Sequence, residues 1–440
     1  MSRKRILGNA NGATRFASNR IELIQNSIPL VVVLLQTSLK VCRDVLEGIH
    51  QYERLYGPWR FHIIEDYYNE PIPWRDGNAP GTFGMIVFAQ SRESAKLVRS
   101  VRCPAVLIDP VDEYFPGLNL AQSQNFGMLK YDSSEVGRIG ARFLLDKQFS
   151  HFAYIDDATG FNWSRSRGDA FCQTIQESGR NCHRYHVSPT KERRHPEQEL
   201  DRLAAWIRAL PKPVAIMAAR DIRARQVLNI CVSEGISVPH QAAVLGVDND
   251  VTLCRATWPP LSSIQMESKR AGFLVSELLA NMMQMSRIGQ TVANRLVHCE
   301  GGFVEERAST DSLCVENKWV SSALEYIKIN AEQGIGVEDV VHFLCISRRQ
   351  LETLFKVHLD RTIVTEINRV RCQKACSLLA NTDLSMAEIA PLCGYDNESY
   401  MGKVFKKVFG QTMSSFRRRN RVIVPRGQRR EPDTSSEEGV

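Results

Sequence analysis

From Pro29 onward, short apolar runs alternate with amphipathic stretches. Pro29–Gln36, Gly84–Ala89, Pro104–Asp109, His151–Ile155, Val214–Ala218 and Ala243–Val247 read as strands. Between and beside them Val41–Arg54, Arg92–Ser100, Glu135–Leu145, Arg167–Glu177, Gln198–Ala209 and Ala224–Glu234 carry a helical period. Fully apolar strands separated by amphipathic helices predict parallel sheet covered on both faces. Residues 29–308 hold too many such units for one sheet of ordinary width. The expectation is an α/β sensor of two doubly wound lobes, with a ligand held in the cleft at the carboxyl ends of their strands. The first lobe is expected to span about 29–130 plus 263–288, and the second about 131–260 plus 292–308.

From 318 the pattern is helical only, predicting an all-α second domain over 318–421. Trp319–Ala331 is amphipathic and is broken at Gly334-Ile335-Gly336; Val337–Leu344 follows, and Ser347 caps Arg348–His358. Asp360 stands where that helix must stop, tolerating the left-handed conformation better than most side chains. After a long helix over Ile363–Leu379 the layout recurs. Ser385 caps a helix to Cys393, Gly394 turns, and Asp396 caps a helix to Phe409 ending at Gly410. Two helix-turn-helix units joined by a long helix are thus predicted. Residues 1–27 are expected to form a flexible basic arm, 309–317 a linker and 422–440 a disordered tail, since none has apolar periodicity.

Charge sharpens the helical end. The net charge of +7 is modest, but Ser399–Arg421 holds no acidic residue and carries Lys403, Lys406, Lys407, Arg417, Arg418, Arg419 and Arg421. Such a cluster suits a nucleic-acid backbone. In the first unit Leu351, Leu354 and Phe355 should face inward, leaving Arg348, Arg349, Glu352, Thr353 and Lys356 outside. In the second Met401, Phe405, Val408 and Phe409 should face inward, leaving Glu398, Ser399, Gly402, Lys403 and Lys406 outside. Arg and Lys reach guanine edges or phosphates, and Glu accepts from cytosine, so double-stranded DNA is the expected partner.

The twelve cysteines form no CxxC, and the closest pair, Cys372 and Cys376, lies one helical turn apart. No metal or other cofactor is expected, and scattered cysteines suit a reducing compartment. The apolar run Ile28–Leu35 is too short to span a bilayer and leads into Gln36-Thr37-Ser38, not a small-residue cleavage site. A cytoplasmic location without membrane contact is expected.

The stretch Ile389-Ala390-Pro391-Leu392-Cys393-Gly394-Tyr395-Asp396-Asn397-Glu398-Ser399-Tyr400, with Phe405-Lys406-Lys407, Gly410-Gln411-Thr412, Phe416-Arg417 and the earlier Arg371-Cys372-Gln373-Lys374-Ala375, resembles the signature of the AraC/XylS family. Met413, Met401 and Asp360 depart from that family's usual Pro, Phe and Gly. The resemblance implies that the two outward sets read successive major grooves on one side of the duplex. Residues 29–308 resemble the sugar-binding domain of LacI-type repressors and periplasmic binding proteins, on Ala219-Arg220-Asp221, Glu234-Gly235-Ile236-Ser237-Val238-Pro239, Val244-Leu245-Gly246-Val247-Asp248-Asn249 and Leu261-Ser262-Ser263-Ile264 with Ala271-Gly272.

That second resemblance implies that Arg167, Asp221 and Asp248 point into the cleft, with Asn249 and Trp163 beside them. Carboxylates and guanidinium groups bind vicinal hydroxyls, and an aromatic face covers the apolar side of a sugar ring. Gln36, Ser38 and Arg43, at the end of the first strand, are candidates for the opposite wall. After the Gly84–Phe88 strand comes Phe88-Ala89-Gln90, where a pentose sensor is expected to place an acidic residue. Together the two resemblances imply a sugar-responsive transcription regulator, an activator acting as a homodimer and engaging RNA polymerase. An enzymatic alternative, the cysteine-based DNA alkyl transfer that accompanies this reader elsewhere, needs an activated thiolate. Cys42 beside Arg43 and Cys254 beside Arg255 have only single cationic neighbours, so no enzymatic activity is expected.

Overall fold

The computed structural model describes residues 28–65, 83–100, 102–116, 125–187, 196–293, 295–311 and 317–420. The arm, the tail and residues 312–316 of the linker lie outside these.

Among the described residues, twelve strands form two six-stranded sheets. The first contains β1 (Leu30–Leu34), β2 (Arg60–Ile64), β3 (Phe83–Phe88), β4 (Ala105–Ile108), β5 (Phe126–Tyr131) and β11 (Leu296–Cys299), in the order β11-β5-β4-β3-β1-β2, all neighbours parallel. The second contains β6 (His151–Ile155), β7 (Cys182–Tyr185), β8 (Val214–Ala218), β9 (Ala242–Val247), β10 (Ser262–Met266) and β12 (Gly302–Glu305), in the order β12-β10-β9-β8-β6-β7. Only β12 runs antiparallel, against β10. Val31–Leu34, Met85–Val87 and Val214–Ala218 are fully buried, as runs covered on both faces must be.

The lobes are α1 (Lys40–Tyr56) and α2 (Arg92–Ser100) around the first sheet, and α3 (Ser133–Asp146), α4 (Asn162–Glu177), α5 (Pro196–Ala209), α6 (Asp221–Ser233) and the short α7 (Val251–Arg255) around the second. The long α8 (Ser268–Arg287) returns to the first lobe and packs on α1. Their backbones touch at Gly48 and Gly272, where an added Cβ would meet Lys269 and Val45 carbonyl oxygens at 1.9 and 2.0 Å.

The chain crosses between lobes three times: from β5 into α3, from β10 into α8, and from β11 into β12. This refines two expected boundaries. Ser262–Met266 pairs in the second sheet, although 263–288 was assigned to the first lobe; Leu296–Cys299 pairs in the first sheet, although 292–308 was assigned to the second. Neither short strand has an uninterrupted apolar run, so hydropathy could not allot them.

The helical end comprises α9 (Lys318–Asn330), α10 (Val337–Leu344), α11 (Arg348–Leu359), α12 (Ile363–Asn381), α13 (Met386–Leu392), α14 (Glu398–Phe409) and α15 (Met413–Asn420). It has two cores, joined by α12. One gathers Val320, Leu324, Ile327, Val340, Leu351, Phe355 and Ile367; the other Cys372, Leu379, Ile389, Tyr395, Met401, Phe405 and Phe416. Phe303, from β12 of the sensor, belongs to the second core and lies 5.3 Å, centroid to centroid, from Phe416. The sensor and the second helical unit therefore share apolar packing. Arg419–Glu300 (2.5 Å) and Ser377–Glu305 (3.2 Å) flank this joint, and Arg361 approaches Asp146 at 3.7 Å.

Candidate functional site

At the carboxyl ends of both sheets, the lobes enclose Gln90, Asp109, Trp163, Arg167, Arg220 and Asp248, with Leu39, Val41, Phe88 and Tyr131 as apolar neighbours. Asp109 follows β4, and Asp248 follows β9. Both take positive φ, 47° and 105°, a conformation that costs free energy for non-glycine residues and collects at functional sites. Burial raises both carboxyls to about 6, opposed at Asp109 mainly by Arg167 and at Asp248 mainly by Arg220. The guanidinium carbons of Arg167 and Arg220 lie 5.0 and 5.4 Å from the Trp163 ring centroid, giving the indole two cationic neighbours. Arg167 donates to the Ala219 carbonyl, whereas its Nε and the Trp163 Nε1 are buried donors with no hydrogen-bond partner.

The lobes touch across the cleft mouth. Arg43 on α1 pairs with Asp250 at 2.7 Å, Asn162 donates to Asp112 at 2.6 Å, and Tyr114 meets Phe161 edge to face. The enclosed space is about 50 Å³, whereas small-molecule sites usually span about 300–1,000 Å³. Larger concavities exist, including an open groove of about 730 Å³ along α9 and α10 and a space of about 660 Å³ between α3, the hinge and the second helical unit. Neither combines opposed lobes, strand ends and strained carboxylates.

Several expected cleft residues sit elsewhere. Asp221 is buried with both oxygens engaged: Ser263 Oγ donates to Oδ1, and the Asp250 N–H donates to Oδ2 at 2.7 Å. It holds the loop that presents Asp248, while its neighbour Arg220 lines the cleft. Asn249 is turned toward the hinge, accepting from Arg307 at 2.7 Å and donating to Gln265 at 3.0 Å. Gln36 and Ser38 are exposed and do not line the cleft, and Arg43 forms its lip. Arg167, Asp248 and Trp163 are where the sequence placed them. Asp109 and Arg220 were missed. Gln90 Nε2 donates to Asp109 Oδ2 at 3.4 Å.

In the helical end, the turns follow from their capping residues. Ser347 accepts from the Gln350 N–H at 3.2 Å, and Ser385 with Glu388 forms a reciprocal capping box. Asn397, not Asp396, caps α14, accepting from the Tyr400 N–H at 2.8 Å. Asp360 and Gly410 end the two reading helices at φ 50° and 69°. Gly394 turns at φ +75°, where a Cβ would lie 2.3 Å from the Ala331 carbonyl oxygen. Arg371 on α12 ties the units together, donating to Ala331 and Ile335 carbonyls at 2.8 and 2.7 Å beneath the Tyr395 ring.

Arg348, Arg349, Glu352, Thr353 and Lys356 on α11, and Glu398, Ser399, Lys403 and Lys406 on α14, are exposed; Gly402 is half-buried among them. Arg348 is held by Glu338 and Glu352 at 2.9 and 2.8 Å, and Lys356 pairs with Asp360. The inward set is narrower than expected. Leu351, Phe355, Met401 and Phe405 are fully buried and Leu354 half-buried, but Val408 and Phe409 remain 39% and 37% exposed on the wall of the space facing the sensor. Part of the basic cluster is spent internally, Arg417 on the Leu384 carbonyl and Arg419 on Glu300.

Among the described residues, no helix is long and apolar enough to cross a membrane, and no group of three His, Cys, Asp or Glu side chains forms a potential metal cage. Cys42 and Cys254 are buried, and burial raises both thiols, Cys42 to about 12. Neither has the low-pKa thiolate that alkyl transfer requires.

Comparison with known proteins follows these two parts. Residues 141–310 match a periplasmic binding protein-like domain, and 340–419 a helix-turn-helix domain. The chain is 27% identical over 383 residues to the xylose operon regulatory protein of Haemophilus influenzae, covering 85% of this chain and 94% of that one. It is 27% identical over 401 residues to the same-named protein of Escherichia coli K12, covering 90% and 98%. A solved structure of the xylose-binding transcription activator xylR, 27% identical and covering 89% of this chain and 98% of that one, superposes with a TM-score of 0.53. The chain is a helix-turn-helix transcription regulator with a periplasmic binding protein-like sensor, homologous over most of its length to the xylose operon regulatory proteins.

Proposed function

We propose that the inter-lobe cleft senses a small sugar, D-xylose, and that its closure sets how the two reading helices engage promoter DNA in a homodimer that activates pentose-use genes through RNA polymerase. The carrying observation is the convergence of Asp109, Asp248, Arg167 and Arg220 around Trp163, with two buried donors free of protein partners. Carboxylates and guanidinium groups match vicinal hydroxyls, and the indole face matches the apolar side of a sugar ring. Asp109 supplies, from the neighbouring strand, the acid that Gln90 lacks. Contacts are assigned to Arg167, Asp248, Trp163, Arg220, Asp109 and Gln90. The exposed faces of α11 and α14 read the duplex, with Arg349, Lys356, Lys403 and Lys406 supplying cationic contacts. This protein acts in the cytoplasm as a binding protein and not as an enzyme.

Sugar can shift the regulator only by its differential affinity for open and closed lobes, and coupling of about 1–3 kcal/mol is typical of such systems. Labelled promoter DNA titrated with and without D-xylose tests the proposal, which predicts a changed affinity or footprint. Identical binding and an identical footprint would overturn it. A thermal-shift panel of pentoses and hexoses identifies the effector, because a ligand bound only by the fold raises apparent stability.

A further inference from the structure

The sequence holds no CxxC, yet the fold brings two distant thiols together. On the face of α4 that covers the second sheet, a Cβ at Gly168 would lie 2.6 Å from Tyr154 and 2.8 Å from Arg184. Cys172 is one turn further along that face. In the sheet, Tyr154 pairs with Arg184 and Phe152 with Cys182, so Cys182 stands two residues back from Arg184 and on the same side. One helical turn advances about 5.4 Å and two strand residues about 6.6 Å, and the crossover helix runs opposite to its strands. The two displacements therefore coincide and set Cys172 over Cys182. Both side chains pack against the same core cluster and keep partial contact with solvent, and Cys182 Sγ donates to the His183 carbonyl at 3.7 Å.

The surroundings are also suited to thiol chemistry. The neighbouring Cys182 thiol and the Arg184 guanidinium hold Cys172 below the usual thiol range, while nearness to Cys172 and burial push Cys182 up. Arg184 is fixed by Asp156 at 3.0 Å and by Asp169. By contrast, the helical-end thiols Cys372, Cys376 and Cys393 are buried and raised. Cys345, the exposed thiol among the described residues, donates to the His342 carbonyl.

We propose that Cys172 and Cys182 form a dithiol modification site that reacts with low-molecular-weight disulfides and closes to an intramolecular disulfide. The Cys172 thiolate attacks one sulfur of the oxidant, forming a mixed disulfide and releasing one thiolate. Cys182, losing its proton to solvent, then attacks the Cys172 sulfur and expels the second thiolate. Two protein thiols are oxidised and one small disulfide is reduced to two thiols. The bond would staple the middle of α4, whose first turns carry Trp163 and Arg167, to the edge strand.

The test treats the full chain with glutathione disulfide and maps non-reduced peptides by mass spectrometry. The expected result is a Cys172–Cys182 cross-link forming about tenfold faster than adducts at the other cysteines, and reversed by dithiothreitol. C182S should trap glutathione on Cys172, and C172S should leave Cys182 slow. Reaction confined to Cys345, or no cross-link in the wild-type chain under conditions where Cys345 is fully modified, would overturn the proposal. The wild-type map needs no variant to fold, and it is independent of which sugar binds.

Discussion

Asp109 and Asp248 occupy equivalent places, each the first polar residue after an apolar strand and each in left-handed backbone. With both carboxyls raised to about 6, the sugar-free fold holds protons that an exposed Asp releases near pH 4. Between those values the folded state binds more protons than the unfolded chain, so these two groups make stability fall as pH rises through the window. In the proposed site, sugar hydroxyls would donate to the ionised carboxylates and lower their pKa values, so binding should release protons and tighten with pH. A single carboxyl titrating near 6 implies roughly a tenfold gain in affinity between pH 5 and 7. Titration calorimetry in buffers of different ionisation heat measures this, and an affinity flat across that range would remove these carboxylates from the site. Asp248→Asn should weaken sugar binding at least about tenfold and shrink the pH dependence, leaving DNA affinity in the absence of sugar unchanged.

Helices carry the reading function through their ends as much as their faces. Gly394→Ala places a methyl group against the Ala331 carbonyl at positive φ, and a cost of about 1–3 kcal/mol to the second unit is expected. Its DNA binding should fall while sugar affinity stays constant, which chemical denaturation paired with anisotropy can check. Lys403→Ala, on the exposed face of α14, should weaken DNA binding about tenfold and reduce its salt dependence; an unchanged salt slope would mean that the side chain touches no phosphate. At this scale the sequence was most legible. Periodicity and capping residues located every helix of the reading units to within a few residues, apart from the final α15. Val408 and Phe409 were misjudged because helical spacing identifies an apolar side chain but not the partner that covers it. In the sensor, β1, β3, β4, β6, β8 and β9 were plain, whereas β2, β5, β7, β10, β11 and β12 carry polar residues among their apolar ones and were not identified. The cleft was half legible. Asp248 and Arg167, expected from the family resemblance, line the space between the lobes, whereas the Asp221 carboxylate turns back to hold Ser263 and the Asp250 N–H. Asp109 carried a usable signal, an aspartate closing an apolar strand, just as Asp248 does.

For the whole molecule, the joint at Phe303 is where sensor and reader share a core. β12 lies beyond the third lobe crossing, so its position follows the hinge, and its Phe303 ring is part of the second reading unit's core. Phe303→Ala should cost about 3–5 kcal/mol in folding stability and should blunt the response of DNA binding to sugar more than either binding reaction alone. Equal sugar responses in variant and parent would place the coupling elsewhere. The same joint limits how freely this protein could be recombined. A chimaera cut in the 309–317 stretch would leave Phe303 behind with its own sensor, so this reader joined to a foreign sensor would lose one wall of its interior. Functional hybrids should therefore need the β12 aromatic to be transplanted with the reader, a constraint that domain boundaries drawn by composition alone would overlook.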